Sequence, residues 1–252
     1  MVLKEWLYMD LSEEEYFCIV CGKRLFSRGG ETECSFCGKR EKADYVCPDG
    51  HYVCEACRLA SAEDLVKKTC DAAKQNDPME IALLLMKHPA IPIHGSENHL
   101  VTAYSLLTAL RNTGETSIGR HEFERVAQRL KKASHGICGS WGVCGCAIAA
   151  GAVTSILTKA TYLSDKERSL ALWVASRTLA EIARIGGPRC CKAATFLAIR
   201  VAVEFFECEL AIPIRTSTSP RPCIFSKLNT ECLRGRCPYY DEDRRELETS
   251  GF

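Results

Sequence analysis

The sequence predicts a mainly α protein, a helical bundle preceded by a small zinc-ribbon or treble-clef-like module, and three observations carry that prediction. Seven of the 17 cysteines fall between Cys18 and Cys57 at the spacing of metal ligands. Beyond about residue 60 the chain is punctuated by helix caps and breakers, with apolar side chains recurring at helical intervals between them. Strand signals are nearly confined to the cysteine-rich start. The expected division is a metal-binding cysteine-rich module over 1–60 and an α-helical cysteine-rich domain over 61–252.

Within the first unit, Cys18-Ile19-Val20-Cys21-Gly22-Lys23-Arg24 and Cys34-Ser35-Phe36-Cys37-Gly38-Lys39-Arg40 form a repeat offset by 16 residues. A Cys-x-x-Cys turn presents two sulfurs to one ion. The glycine after it tolerates the left-handed backbone that turns amides toward the sulfurs. A redox dithiol is a fair reading of one such turn and a poor one of a duplicated pair. Cys47, His51, Cys54 and Cys57 then offer a second complete zinc complement. The pairing is either sequential (18/21/34/37 and 47/51/54/57) or interleaved, with one knuckle joined to Cys54 and Cys57. His51 competes with an ordinary turn histidine; closure of a four-ligand site favours the ligand. The run from Cys47 to Cys57 resembles the middle of RING-type and treble-clef fingers. It lacks the later cysteine pair of a RING, so ligase activity is not implied. Two zinc ions would staple a segment whose own core is thin.

The helices follow in order. Ser61 with Glu63 and Asp64 reads as an N-cap and acidic first turn, opening a helix to about Gln75. Asp77-Pro78 is a cap with proline at the first helical position, leading through Leu83, Leu84 and Leu85 to about His88. Pro89 and Pro92 force an extended link. Ser96 can cap a helix bearing Leu100, Ala103, Leu106, Leu107 and Leu110 that ends near Gly114. Gly119 to Ser134 carries Phe123, Val126 and Leu130 between charges, an amphipathic surface helix. Cys146 to Thr158 is apolar on nearly all faces and reads as central. Ser164-Asp165-Lys166-Glu167 is a capping box for a helix to Ile185, stopped by Gly186-Gly187-Pro188. Ala193 to Leu210 is the last strong helix, ended by Pro213. Residues 215–240 read as loop pinned by cysteines, and the charged 241–248 stretch as a solvated tail.

Ten cysteines lie beyond the finger. Gly136 to Cys146 places Cys138 and Cys144 in glycine turns that open directly into the apolar helix. Backbone amides and the positive dipole end at such a turn make a thiol ionise readily. Gly186-Gly187-Pro188-Arg189-Cys190-Cys191-Lys192 is built alike, with cations flanking vicinal cysteines. Neighbouring cysteines rarely bond each other. Cys138, Cys144, Cys190 and Cys191 are therefore expected to meet at facing helix starts as an iron–sulfur or thiol redox site. Cys146 and Cys208 read instead as buried small hydrophobes. Cys223, Cys232 and Cys237 form a third set of candidate metal ligands, with the fourth position left open or completed by Cys208 or a distant residue. His94, Glu97 and His99 at the entrance to one helix are candidate ligands or proton-transfer groups; His88, His121 and His135 show no such setting.

Charge and hydropathy narrow the classes. The formal net charge is +1. Residues 1–60 carry 8 Lys/Arg against 11 Asp/Glu. Seven thiolates holding two divalent ions would make that segment more negative still. Nucleic acid is thus a poor default partner, with the Lys23-Arg24 and Lys39-Arg40 pairs its only support. The charge-free stretch from Gly136 to Thr158 is long enough for a bilayer. Its five glycines and three cysteines make a loop plus a short buried helix the better reading, and no membrane association is expected. With no apolar leader before Glu13-Glu14-Glu15, a reducing cytoplasm is the expected compartment.

His94 to His99, Cys138 to Gly145, Pro188-Arg189-Cys190-Cys191 and the cysteines of 223–240 together resemble an uncharacterised cysteine-rich domain family of methanogenic archaea and anaerobic bacteria. Members are sometimes fused to methyltransferase-type domains. The resemblance spans most of residues 45–240. The chain departs from the family pattern at Ser96, Asn98 and Cys146, where the family has Pro, His and Ala. A fainter similarity runs to small helical redox proteins with a Cys-Gly-Ala turn. The resemblance implies anaerobic metabolism and a redox or methyltransferase-type protein partner. The leading expectation is zinc in the finger and electron or sulfur transfer at Cys138, Cys144, Cys190 and Cys191, with His94, Glu97 and His99 assisting. A zinc-only interaction scaffold is the competing expectation, RNA binding the third.

Overall fold

The computed structural model describes residues 15–241. The expected solvated tail lies, from residue 242 on, outside them. Among the described residues the chain is mainly helical, with small antiparallel strands only in the cysteine-rich start. Strand β1 (Phe26–Ser27) pairs with β4 (Tyr45–Val46), and β2 (Glu31–Glu33) with β3 (Arg40–Lys42). The two knuckles are copies of one turn. Gly22 N–H donates to the Cys18 carbonyl (2.7 Å) and Gly38 N–H to that of Cys34 (2.9 Å), each glycine left-handed at φ 77° and 68°. The positive φ explains the repeated glycine, because a side chain there would be strained. A zinc-ribbon-like module results. The short helix α1 (Glu55–Arg58), which local pattern did not announce, closes it.

Helices α2 (Ala62–Ala72), α3 (Pro78–Lys87), α4 (Glu97–Thr113), α5 (Arg120–Leu130), α6 (Ile137–Trp141), α7 (Gly145–Leu157), α8 (Lys166–Ile185) and α9 (Cys191–Leu210) form the bundle. Central α4 is buried continuously from Val101 to Leu110. Around it pack α2, α3, α5, α7 and α9, and α8 lies against α7 and α9. Gly151 allows α7 to approach α8 closely: an added Cβ would press on the Ala171 carbonyl and the Ala175 methyl at 3.1 and 3.2 Å. No helix among the described residues is long and apolar enough to cross a membrane.

Several boundaries differ from expectation for visible reasons. Helix α2 stops at Ala72 because side chains at the end of α4 take its last carbonyls: Arg111 donates to Cys70 O (2.6 Å) and Asn112 to Ala73 O (2.9 Å). Ser96 makes no cap; its backbone is already helical. Asn98 instead pins the proline link by donating to the Pro92 and Gly95 carbonyls (3.2 Å each). The Ser164 capping box is not formed either, since Ser164 Oγ accepts from Thr161 N–H (3.0 Å) and closes a separate turn. Part of the expected glycine loop is helical, as α6 between left-handed Gly136 and Gly142. Asp77 caps as expected, accepting from Met79 N–H at 2.8 Å.

Finger and bundle share one apolar core that runs from Cys18 and Phe36 to Phe225 and Tyr239. Phe36 of the second knuckle stands edge-on to His88 at the end of α3, ring centroids 5.2 Å apart. Lys68 of α2 donates to the Ala56 carbonyl (3.4 Å). After α9 the chain returns as an irregular strap, with Ile214 fully buried and Tyr239 edge-on to Phe196 of α9.

Candidate functional site

The finger brings its eight ligand-type side chains into two groups, Cys18, Cys21, Cys47 and His51, and Cys34, Cys37, Cys54 and Cys57. In each, the ligand atoms lie within 4.8 Å of one another. The arrangement is interleaved rather than sequential: each knuckle reaches past its neighbour to a later pair. Cys21 Sγ lies 3.3 Å from Cys47 Sγ and Cys37 Sγ 3.6 Å from Cys54 Sγ. Such spacing is far beyond a disulfide bond and close to the edge of a tetrahedron of sulfurs, about 3.8 Å for metal–sulfur bonds of about 2.3 Å. His51 Nδ1 is buried without a hydrogen-bond partner, as a ligating ring can require. The backbone N–H of Asp49 points at Cys47 Sγ and that of Cys54 at Cys34 Sγ, both at 3.4 Å. Burial raises the Cys34 and Cys47 thiols, but these amide donors prevail and hold both below their ordinary values. The residues present fit two metal ions.

The second candidate site lies where three helices begin. Cys138 is in the first turn of α6, Cys144 caps α7, and Cys190 and Cys191 open α9. All four line one cleft of about 690 Å³, its open mouth included. His99, His135 and Arg189 line it too. Cys138 is exposed and the other three half-buried. The Cys144 thiol is lowered to about 7, because the Cys146 thiol and the N–H groups of Cys146 and Ala147 all donate toward it against its burial. Its partner Cys146, fully buried against Thr195 and Ala198, is pushed up by Cys144 and by burial. Burial raises Cys191, opposed by the Gly95 N–H and by Arg189.

Of His94, Glu97 and His99, only His99 lines the cleft. Its ring lies flat against Gly145, where any Cβ would overlap three ring atoms, so the glycine between Cys144 and Cys146 is set by the histidine. Burial depresses the His99 pKa and keeps the imidazole neutral. His94 points elsewhere: its Nε2 is 3.0 Å from Asn229 Oδ1 and 3.8 Å from Glu231, both on the strap. Glu97 folds back over Gly95. The geometry therefore separates the three. His135, which the sequence did not single out, is a wall residue whose Nε2 accepts from Arg189 Nη1 (3.4 Å). Its only sequence signal is its place just before the Gly136 turn.

A smaller cavity of about 380 Å³, its opening to solvent included, adjoins the cleft. Cys190 lines it as well, together with Cys223, Cys232 and Cys237 of the strap. The fourth cysteine lining this cavity is thus Cys190. Cys208 cannot complete it: it is exposed near the end of α9, which also corrects its reading as a buried small hydrophobe. Lys192, read from the sequence as a cation flanking the vicinal cysteines, lies in the same cavity, 1% exposed.

The model of a family of unknown function, DUF5714, matches residues 66–240. The match holds the cleft and the strap cysteines and begins after the last finger ligand. No curated protein and no solved structure matches the chain.

Proposed function

Because the chain belongs to DUF5714, whose match contains the cleft and not the finger, we propose that the cleft is the working site, a thiol centre for electron or sulfur transfer. The finger, in this reading, holds two structural zinc ions. The carrying observation is the convergence of Cys138, Cys144 and Cys191 on one solvent-open cleft beside Arg189. Helix starts supply amide donors to thiolates, and a guanidinium favours anionic sulfur. In sulfur transfer, the Cys144 thiolate would attack the outer sulfur of a persulfide donor, forming Cys144 persulfide as the donor leaves as a thiolate. In electron transfer, two cleft thiols would give two electrons and two protons to a partner disulfide, which becomes a dithiol. Neutral His99 and the His135–Arg189 pair would hold and pass the proton at the cleft wall.

The test is alkylation of the anaerobically prepared protein across a pH series, mapped by mass spectrometry. Cys144 is expected to react half-maximally near pH 7, the value its surroundings set. Cys208, exposed on the surface, is the internal control. Cys144 reacting no faster than Cys208 at pH 7 would sink the thiol reading.

A further inference from the structure

Cys190 stands at the start of α9, and Cys223, Cys232 and Cys237 on the strap, yet all four face one cavity. Their backbone surroundings repeat those of the finger's ligands. Ser226 N–H donates to the Cys223 carbonyl (3.5 Å) and Tyr240 N–H to that of Cys237 (3.1 Å), each at the third residue onward. In the finger, Gly50 N–H donates to the Cys47 carbonyl (2.8 Å) and Cys57 N–H to that of Cys54 (3.0 Å) at the same spacing. Ala193 N–H reaches Cys190 Sγ at 3.5 Å, and Asn229 Nδ2 donates to it from the strap at 3.7 Å. Hydrogen bonds of this kind stabilise metal-bound sulfur and tune it.

Two further facts decide what such a site takes. Among the described residues, only the finger groups bring three or more ligand atoms within 4.8 Å of one another. The four sulfurs here surround a cavity without closing to the spacing of one ion's ligands, which suits a multi-iron core on whose corners the sulfurs sit. The cavity also holds a buried cation. Lys192 Nζ donates to the Ile91 carbonyl (3.2 Å) and lies 5.2 Å over the Phe225 ring, and among the described residues no carboxylate pairs with it. A buried ammonium without an anion is costly. Four thiolates around a four-iron core would supply a net charge of about −2 beside it.

We propose that Cys190, Cys223, Cys232 and Cys237 hold an iron–sulfur cluster between α9 and the strap, with Lys192 as its buried counter-cation. The cluster and the cleft then meet at adjacent residues, Cys190 on one side and Cys191 on the other. This assignment moves Cys190 from the cleft's thiol set to the neighbouring site, and it stands whether or not Cys144 is reactive.

The full chain is reconstituted anaerobically with ferrous iron and sulfide, then assayed for iron, acid-labile sulfide, visible absorption and the reduced-state paramagnetic resonance signal. About four irons per chain are expected in the wild type. Cys223→Ser and Cys237→Ser should lose iron and colour to background, whereas Cys138→Ser and Cys144→Ser keep both. Far-UV circular dichroism monitors folding; if either strap variant loses helix, Cys232→Ala under the same assay decides. Lys192→Met should lower the cluster's midpoint potential, since the cation favours the more negative reduced core; an unchanged potential would overturn its assigned role. A wild type that takes up only zinc, or a cluster lost with Cys138 and Cys144 and kept without Cys223 and Cys237, overturns the proposal. Alkylation on the same preparation separates the two readings: a colourless protein with a fast Cys144 defeats the cluster alone, and a coloured one with an inert Cys144 defeats the thiol centre alone.

Discussion

The finger and the cleft use the same atom in opposite ways. In the finger, each knuckle is a copied loop with its own left-handed glycine, and its second sulfur meets a later cysteine, Cys47 at 3.3 Å or Cys54 at 3.6 Å. In the cleft, thiols arrive on the first turns of α6, α7 and α9, more than 50 residues of chain separating Cys138 from Cys190. They share a space without sharing an ion-sized centre. Paired tight turns build a site that closes on one ion; packed helix starts build a site that stays open. An open site can admit a reactant, and a closed one can only hold the fold.

The hardest test of that contrast applies one substitution to both regions. Cys57 is fully buried within the second finger group. Cys57→Ser should release one metal ion per chain and cost more than about 4 kcal/mol, because structural metal binding in such modules is worth about 10–16 kcal/mol and part of it is folding free energy. Cys138→Ser, at an exposed position, should change stability by less than about 0.5 kcal/mol. Thermal or urea unfolding with metal analysis reads both. Equal melting points for the two variants would erase the distinction between a stapled finger and an open cleft.

Legibility followed the same divide. The knuckles could be read because ligand spacing, glycine and hydrogen-bonding turn all lie within seven residues. Their pairing could not, because Cys54 joins Cys34 rather than Cys47 only once β1 reaches β4 and α1 forms. Seven helices carried visible signals, Asp77-Pro78 the cleanest, whereas α6 was hidden by its glycines. The meeting of Cys138, Cys144, Cys190 and Cys191 was legible as a pattern, since each stands at a glycine- or proline-marked helix start. The second neighbourhood of Cys190 was not. It depends on a strap whose path has no periodicity and is set by single contacts, such as Tyr239 on Phe196.

Gly145 tests whether the cleft is shaped by backbone as tightly as the knuckles are. No room exists there for a Cβ beside His99. Gly145→Ala should cost about 3 kcal/mol through overpacking and push the imidazole toward the thiols. His99→Ala in the same chain vacates the clash, so the double variant should be more stable than the sum of the singles by at least about 1 kcal/mol. Additive losses in denaturant unfolding would mean that the ring and the glycine are independent, leaving the Cys144-Gly145-Cys146 turn without its stated cause.

The strap offers the smallest and most specific test, because it is fastened by a carboxylate as well as by any cluster. Asp77 caps α3 and accepts from Thr216 Oγ1 (2.8 Å) and from the N–H groups of Ser217 (3.0 Å) and Thr218 (2.9 Å). Burial alone would raise its pKa, but the donors from Thr218, Thr216 and Met79 outweigh it and hold the carboxyl below its ordinary 3.8. A depressed carboxyl contributes stability that is present above the unfolded-state pKa and lost as pH falls through the folded one. The apoprotein should therefore lose stability below about pH 4, and Asp77→Ala should lower it by about 2 kcal/mol at pH 7 while flattening that acid limb. If the cavity of Cys190, Cys223, Cys232 and Cys237 is held open by the fold, Asp77→Ala should also weaken iron uptake without abolishing it. An unchanged acid limb in the variant would show that the strap is fastened elsewhere, and that its cysteines depend on metal for their placement as fully as those of the finger.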